Sequence, residues 1–202
     1  MNKDKYSTII VVDIETLGKA NNAKIATIGA VAVNLLSQET LGEFYIKCDL
    51  LQPGRSINID VLDWWAEQGK TNKQAHNEIF SQDGDRESLP RALELFSEFV
   101  TAINHAGHRP QVMGNGPEFD NVILNDAYTQ HNIETPWDFG CNQSLRTAVL
   151  FGRVFLGIDP KYQGEFTGIV HHALDDARHE ANSLLTISKG FMALTSQNNI
   201  IK

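Results

Sequence analysis

The sequence predicts a mixed α/β fold, one β-sheet with helices on its faces, in a single domain. Two observations in the order of the elements point there. Strand-like segments come first, joined by short links, and helical patterns follow with a further strand among them. A third observation concerns size. The chain has 202 residues, 42% hydrophobic and 21% charged, which is ordinary for a soluble globular protein and enough for one sizeable core.

The first strand is predicted over Ile9 to Thr16, where Val, Ile and Thr dominate as on a largely buried pleated surface. Asp13 and Glu15 stand two apart in it, so both carboxylates leave the same face, roughly 6–7 Å apart at about 3.3 Å per residue. Two like charges side by side are costly to bury unless cations pair with them. They mark either a solvated strand end or a divalent-metal site. A turn-rich link at Gly18 to Asn22 leads to a second strand, Ile25 to Asn34. This strand is apolar almost throughout and small at Ala26, Gly29, Ala30 and Ala32, where backbone or substrate can approach closely. Glu43 to Cys48 reads as a third strand, and the short links predict an antiparallel meander.

Helices follow. One spans Ile59 to Gly69, with Asp60 early and the tandem Trp64-Trp65 within it. A second, capped by Thr71, runs through Phe80. After a polar loop at 81–85, a long helix from Ser88 to Ala106 carries Leu89, Ala92, Leu93, Phe96, Phe99 and Val100 at helical spacing, with Pro90 in its first turn. A short fourth strand is predicted at Gln111 to Asn115, then helices at Glu118 to Gln130 and Ser144 to Phe155. An irregular loop covers 157–168. The last helix runs from Ala173 to Leu194 with Leu174, Ala177, Ala181, Leu184 and Phe191 on one face. Residues 1–6 and 196–202 are expected to fray.

Charge and cysteine content narrow the function classes. The net charge is −8, so the basic footprint of a duplex-binding protein is absent. A short or locally gripped nucleic acid is still compatible if metal ions supply positive charge at the site. Cys48 and Cys141 are the only cysteines, too few for a disulfide framework or a Cys-rich zinc site. The apolar stretch near the start is too short to span a bilayer and has no small-residue cleavage site, so no membrane association and a cytoplasmic location are expected.

Two more acidic spots accompany Asp13 and Glu15. Asp120 falls in the first turn of a helix just after a strand, where an acid also complements the helix dipole. His171-His172-Ala173-Leu174-Asp175-Asp176-Ala177 ends a loop and opens the last helix, where histidine and acids also serve as caps. Each alone reads as ordinary helix-start chemistry; the set of three does not.

Together these segments resemble the DEDD superfamily of 3′–5′ exonucleases in its histidine-containing branch, which includes proofreading exonucleases, oligoribonuclease and ribonuclease T. Asp13-Ile14-Glu15-Thr16 stands for the first motif, Phe119-Asp120 for the second, and His171 through Ala177 for the third. Asp63-Trp64-Trp65, Gly114-Asn115-Gly116 and Leu145-Arg146-Thr147 are similar to the ribonuclease T-like subgroup of small phage and bacterial exonucleases and exoribonucleases. Ser144 departs from that subgroup, where an acid often precedes Leu-Arg-Thr.

The resemblance implies a ribonuclease H-like fold and a 3′–5′ exonuclease that releases 5′-mononucleotides from single-stranded or short DNA or RNA. It implies two Mg²⁺ or Mn²⁺ ions held by Asp13, Glu15, Asp120 and Asp176, with Asp13 bridging them and His171 as general base. Hard divalent ions prefer such carboxylate oxygens, two of them stabilise attacking and leaving oxygens together, and a histidine suits the base role. In the third motif the family spacing selects His171 and Asp176 over His172 and Asp175. Thr16, Leu17, Trp64, Trp65, Phe119 and Arg146 are candidate substrate contacts, and Arg178 a further candidate for phosphate. One of two adjacent tryptophans on a helix points away from the core unless both sides are covered; an exposed one can stack on a base. The subgroup also raises a possible homodimer. The rivals are a catalytically silent exonuclease fold used for binding and a metal-dependent phosphohydrolase with no nucleic-acid partner.

Overall fold

The computed structural model describes residues 4–81, 84–104 and 109–198. Strands β1 (Thr8–Thr16), β2 (Ile25–Asn34) and β3 (Glu39–Lys47) form the predicted antiparallel meander. Strand β4 (Gln111–Gly114) pairs parallel to β1, and β5 (Asn142–Ser144) parallel to β4. The sheet order is β3-β2-β1-β4-β5, with β1 in the middle. The helices are α1 (Ile59–Thr71), α2 (Lys73–Phe80), α3 (Leu89–Ile103), α4 (Asp120–Gln130), α5 (Leu145–Phe151), α6 (Pro160–Gln163) and α7 (Ala173–Asn198).

Strand β1 reads as nearly continuous apolar sequence because both its faces are covered. Ile10, Val12 and Ile14 share a core with Leu93 and Phe96 of α3 and with Leu124 and Tyr128 of α4. Ile9 and Val11 pack on the other face with Leu145 and Val149 of α5 and with Ala177, Ala181, Leu184 and Ile187 of α7. Asp13 and Glu15 continue that second row, so strand periodicity aims them at the α7 side. Fully burying each large aliphatic side chain stabilises the fold by about 1.5–3 kcal/mol, and Ile10, Leu93, Phe96 and Leu124 are all fully buried.

The small residues of β2 serve backbone approach. Gly29 pairs with Asp13 across the ladder, and a methyl group on it would lie 2.3 Å from the Ala173 carbonyl carbon and from the Leu174 nitrogen. The start of α7 therefore rests directly on the β2 backbone.

The structure corrects several boundaries. The fifth strand was not predicted, because Asn142, Gln143 and Ser144 offer no apolar alternation. They pair through side-chain anchors: Asn121 Nδ2 donates to Val112 O and Asn142 Oδ1, and Trp137 Nε1 donates to Asn142 Oδ1. Strand β3 begins at Glu39, four residues early, and Gln38 turns the chain with a positive φ. The α2 cap is Asn72, whose side chain accepts from Ala75 N; Thr71 instead ends α1 and donates to Glu67 O. Ser144 caps α5, and the predicted helix finishes as a π turn at Gly152–Leu156. The predicted 157–168 loop contains α6. The chain ends are more regular than expected, with a 3₁₀ turn at Asp4–Tyr6 and α7 continuing through Asn198. The predicted α3 end at Ala106, and residues 1–3 and 199–202, lie outside the described residues. No helix among these residues is long and apolar enough to cross a membrane.

Candidate active site and metal centre

Three elements bring the predicted acids together. Strand β1 supplies Asp13 and Glu15, both half-buried. Helix α4 opens with Asp120, which is 4% exposed and accepts from Ile14 N at 3.4 Å. Its neighbour Asn121 fixes the helix start by accepting from Gly114 N at 3.1 Å. The α7 start supplies His171 and Asp176. His171 holds a φ of +65°, and Gly168 before it a φ of +113°. A non-glycine residue is strained there, and the distortion turns the imidazole toward β1. Glu15, His171 and Asp176 each offer a ligand atom within 4.8 Å of the others, a group able to hold a metal ion. A cleft of about 420 Å³ joins them to Asp13, Asp120 and Glu180.

Burial and mutual repulsion raise every acid here. Burial drives Asp13 well above the carboxylate range, and Glu15, Asp120, Glu180 and Asp176 add to the effect. Glu15 is pushed up to about 8 by burial and then by Asp176 and Asp120. Asp120 rises to about 7 through burial, against the opposing pull of the Ile14 amide and other backbone donors. Asp176 rises to about 6, also through burial. Burial lowers the His171 pKa, which keeps its imidazole neutral. Four such acids become stable as anions together only beside cations.

Within the third motif, His172 and Asp175 turn elsewhere. Asp175 Oδ2 accepts from Ile169 N at 2.9 Å, and its Oδ1 accepts from Arg178 at 2.8 Å. The His172 ring stacks on Tyr45 with centroids 4.5 Å apart.

A second cavity, about 530 Å³, adjoins the acid cleft and shares Ile14, Glu15 and Phe119 with it; Thr16, Trp64 and Trp65 also line it. The tryptophans divide, one packed inside and one partly open. Trp65 is 1% exposed, and its Nε1 donates to Thr16 O at 3.0 Å. Trp64 is 40% exposed, with its ring edge-on to His171 at a centroid distance of 4.8 Å. Arg146 lines the acid cleft while paired with Glu118.

Two candidate contacts have their side chains engaged within the fold. Leu17 is buried in the apolar cluster of Val61, Trp65 and Ile79, and its side chain serves packing. Arg178 bonds Glu43 and Asp175, so its charge is used within the fold. The sequence reading missed Glu180 and Lys161 in the cleft and gave Asn115, which stands in one of the subgroup segments, no role. Glu180 had one available signal, its place four residues after Asp176 on the same helix face.

Comparison with known proteins agrees with this geometry. No curated protein sequence matches the chain. Among solved structures, the nuclease domain of 3'hExo, a DEDDh family member bound to rAMP, superposes with a TM-score of 0.61 at 13% identity, covering 91% of this chain and 92% of that one. Cell-death related nuclease 4 (CRN-4) gives 0.63 at 12% identity, covering 91% of this chain and 64% of that one. E. coli exonuclease I in complex with a dT13 oligonucleotide gives 0.66 at 13% identity, covering 95% of this chain but 43% of that one. At these identities the likeness shows a shared fold, the ribonuclease H-like sheet expected from the motifs. A profile of the 3′–5′ exoribonuclease Rv2179c-like domain matches residues 8–188, a span holding all three motifs. The chain therefore belongs to the 3′–5′ exoribonuclease Rv2179c-like domain family and is a 3′–5′ exonuclease of nucleic acid.

Proposed function

We propose that the enzyme removes 5′-mononucleotides one at a time from the 3′ end of short or single-stranded nucleic acid, using two Mg²⁺ or Mn²⁺ ions. The convergence of Glu15, His171 and Asp176 within 4.8 Å carries this reading. The donor set fits such ions: hard carboxylate oxygens, mutually repelling and raised in pKa, which hard divalent cations favour.

Asp13, Glu15, Asp120 and Asp176 hold the ions, with Asp13 central because it feels all the other acids of the cleft. Ions bound there would supply charge neutralisation for the phosphoryl oxygens and a more acidic water. His171, neutral through burial, takes the proton of the attacking water on an imidazole nitrogen. Trp64 and Phe119 wall the adjoining cavity and suit a stacked 3′-terminal base. The Arg146–Glu118 pair is largely exposed, with side chains 64% and 66% accessible, so it opens at little cost and frees Arg146 for a phosphate. The family description makes RNA the first substrate to test. Buried free Cys48 and Cys141 suit a reducing, cytoplasmic setting. Exposed Leu150, Phe151, Val154 and Phe155 suit a homodimer contact.

The test is incubation with matched 5′-labelled RNA and DNA single strands in Mg²⁺, Mn²⁺ or EDTA. A ladder of products shortened from the 3′ end, abolished by EDTA, is expected. Undiminished activity in EDTA overturns the metal mechanism.

A further inference from the structure

Glu180 is the one acid of the cleft outside the three motifs. It lies one helical turn beyond Asp176 on α7, and its side chain is 6% exposed. Its two oxygens differ. Oε1 lies 3.6 Å from Lys161 Nζ, an ammonium that already donates to Asn115 Oδ1 at 2.8 Å. Oε2 is buried without a hydrogen-bond partner. A buried carboxylate oxygen with no partner is rare in native proteins and marks a place where a partner belongs. A single ammonium shared with an amide offsets only part of the cost of the buried charge.

Position identifies the partner. Glu180 lines the cleft beside Asp13, Asp120 and Asp176. It is repelled by Asp120 and Asp176 and in turn repels Asp13. Lys161 of α6, beside it, bonds Asn115, which follows β4 on the way into α4. This is the Asp13–Asp120 flank, away from the group of Glu15 and His171. A neutral donor would satisfy Oε2 but leave the repulsion; a divalent cation answers both.

We propose that Glu180 is a fifth carboxylate of the metal centre, its Oε2 adding to the hold of Asp13 and Asp120 on one divalent ion. The inference rests on the two-ion reading above, and Lys161 keeps the other oxygen turned from the ion.

The test uses the full chain, metal-free and without substrate. Mn²⁺ binding is followed by the electron paramagnetic resonance of free Mn²⁺ for the wild type, Glu180→Gln and Lys161→Met. Thermal melting is run in EDTA and in Mn²⁺. In the wild type, two ions are expected. Glu180→Gln should weaken the looser ion by about tenfold or more, the usual scale for groups that support a metal, and leave the tighter one within about threefold. Its melting temperature in EDTA should rise as repulsion is relieved, and its gain on adding Mn²⁺ should shrink. Lys161→Met should leave the looser ion unchanged or tighter. If Glu180→Gln melts lower in EDTA and binds both ions as the wild type does, Glu180 is only the partner of Lys161 and the inference falls. The same holds if Lys161→Met weakens the looser ion as much as Glu180→Gln. A wild type that binds no Mn²⁺ overturns the two-ion reading itself, whatever the variants do.

Discussion

The first turn of α7 separates two charged regions of opposite character. On one side, Asp13, Glu15, Asp120, Asp176 and Glu180 face one another, with Lys161 ion-paired to Glu180. On the other, each carboxylate has a cationic partner. Glu43 accepts from Arg178, Asp175 accepts from Arg178, and Glu78 lies 2.6 Å from Lys47 and accepts from Tyr45. Arg178 holds Glu43 below the ordinary carboxylate range. Burial alone would raise Glu78, but its bonds from Lys47 and Tyr45 win and lower it. Acids on the two sides of this turn thus titrate in opposite senses, Glu43 and Glu78 lowered and Asp13, Glu15, Asp120, Asp176 and Glu180 raised. The balanced region is structural, while the unbalanced one waits for charge from outside, as functional sites commonly do.

The strongest way to break this contrast is Asp13→Asn. It should lower kcat on a labelled oligomer by about a thousandfold or more, about 4 kcal/mol of transition-state stabilisation. Its melting temperature in EDTA should nevertheless rise, because folding no longer has to hold a proton on this buried acid. Near-normal turnover would place the metal centre elsewhere.

The histidines sharpen the comparison, since they lie on opposite sides of it. His171→Ala should lower kcat by about a hundredfold with Mn²⁺ binding retained. His172→Ala, which loses stacking on Tyr45 and the 3.4 Å bond that its Nδ1 accepts from Asp175 N, should stay within a few-fold. Equal losses in two folded variants would show the base assignment to be wrong.

Metal-free stability should depend on pH in the sense set by the raised acids. Glu15 near 8, Asp120 near 7 and Asp176 near 6 hold protons in the folded state that an unfolded chain releases near pH 4. Their contribution is fully present below about pH 4 and is lost progressively as pH rises from there through the folded values of about 6, 7 and 8. For each net proton this is about 1.4 kcal/mol per pH unit, or about 3–5 °C of melting temperature. Melting in EDTA should fall across that window, and Mg²⁺ or Mn²⁺ should remove the fall. A flat profile in EDTA would mean that the acids are not strained.

The smallest effect is the test of the balanced side. Asp175→Ala removes the acceptor for Ile169 N and Arg178 and should cost about 1.5–3 kcal/mol in urea unfolding. Asp176→Ala should cost the metal-free protein nothing or stabilise it. The reverse ranking would erase the distinction between the two regions.

The four acids were legible through the resemblance of three motifs to one family, since each spot alone reads as ordinary strand-end or helix-start chemistry; the fold brings all four to one cleft. Helix geometry left open whether both tryptophans were covered, and only the packing of α1 divides Trp64 from Trp65. Strand β5 was illegible because long-range anchors at Asn121 and Trp137 hold it, with no pattern of its own. Glu180 looked like any polar helix residue. Its meaning depends on how α7 seats against β1, a tertiary fact. The same holds for Leu17 and Arg178, where neighbours distant in sequence decide between packing, pairing and contact with a ligand.

Gly29 has a consequence for tolerances. It contributes no side chain, yet it stands opposite Asp13 in the ladder and directly beneath Ala173. The gap between β2 and α7 is gauged by a missing methyl group. Gly29→Ala would act as a shim, lifting the α7 start and carrying His171 and Asp176 away from Glu15 while every acid stayed chemically intact. The jaw width of this nuclease is machined by a residue that has nothing to bind with.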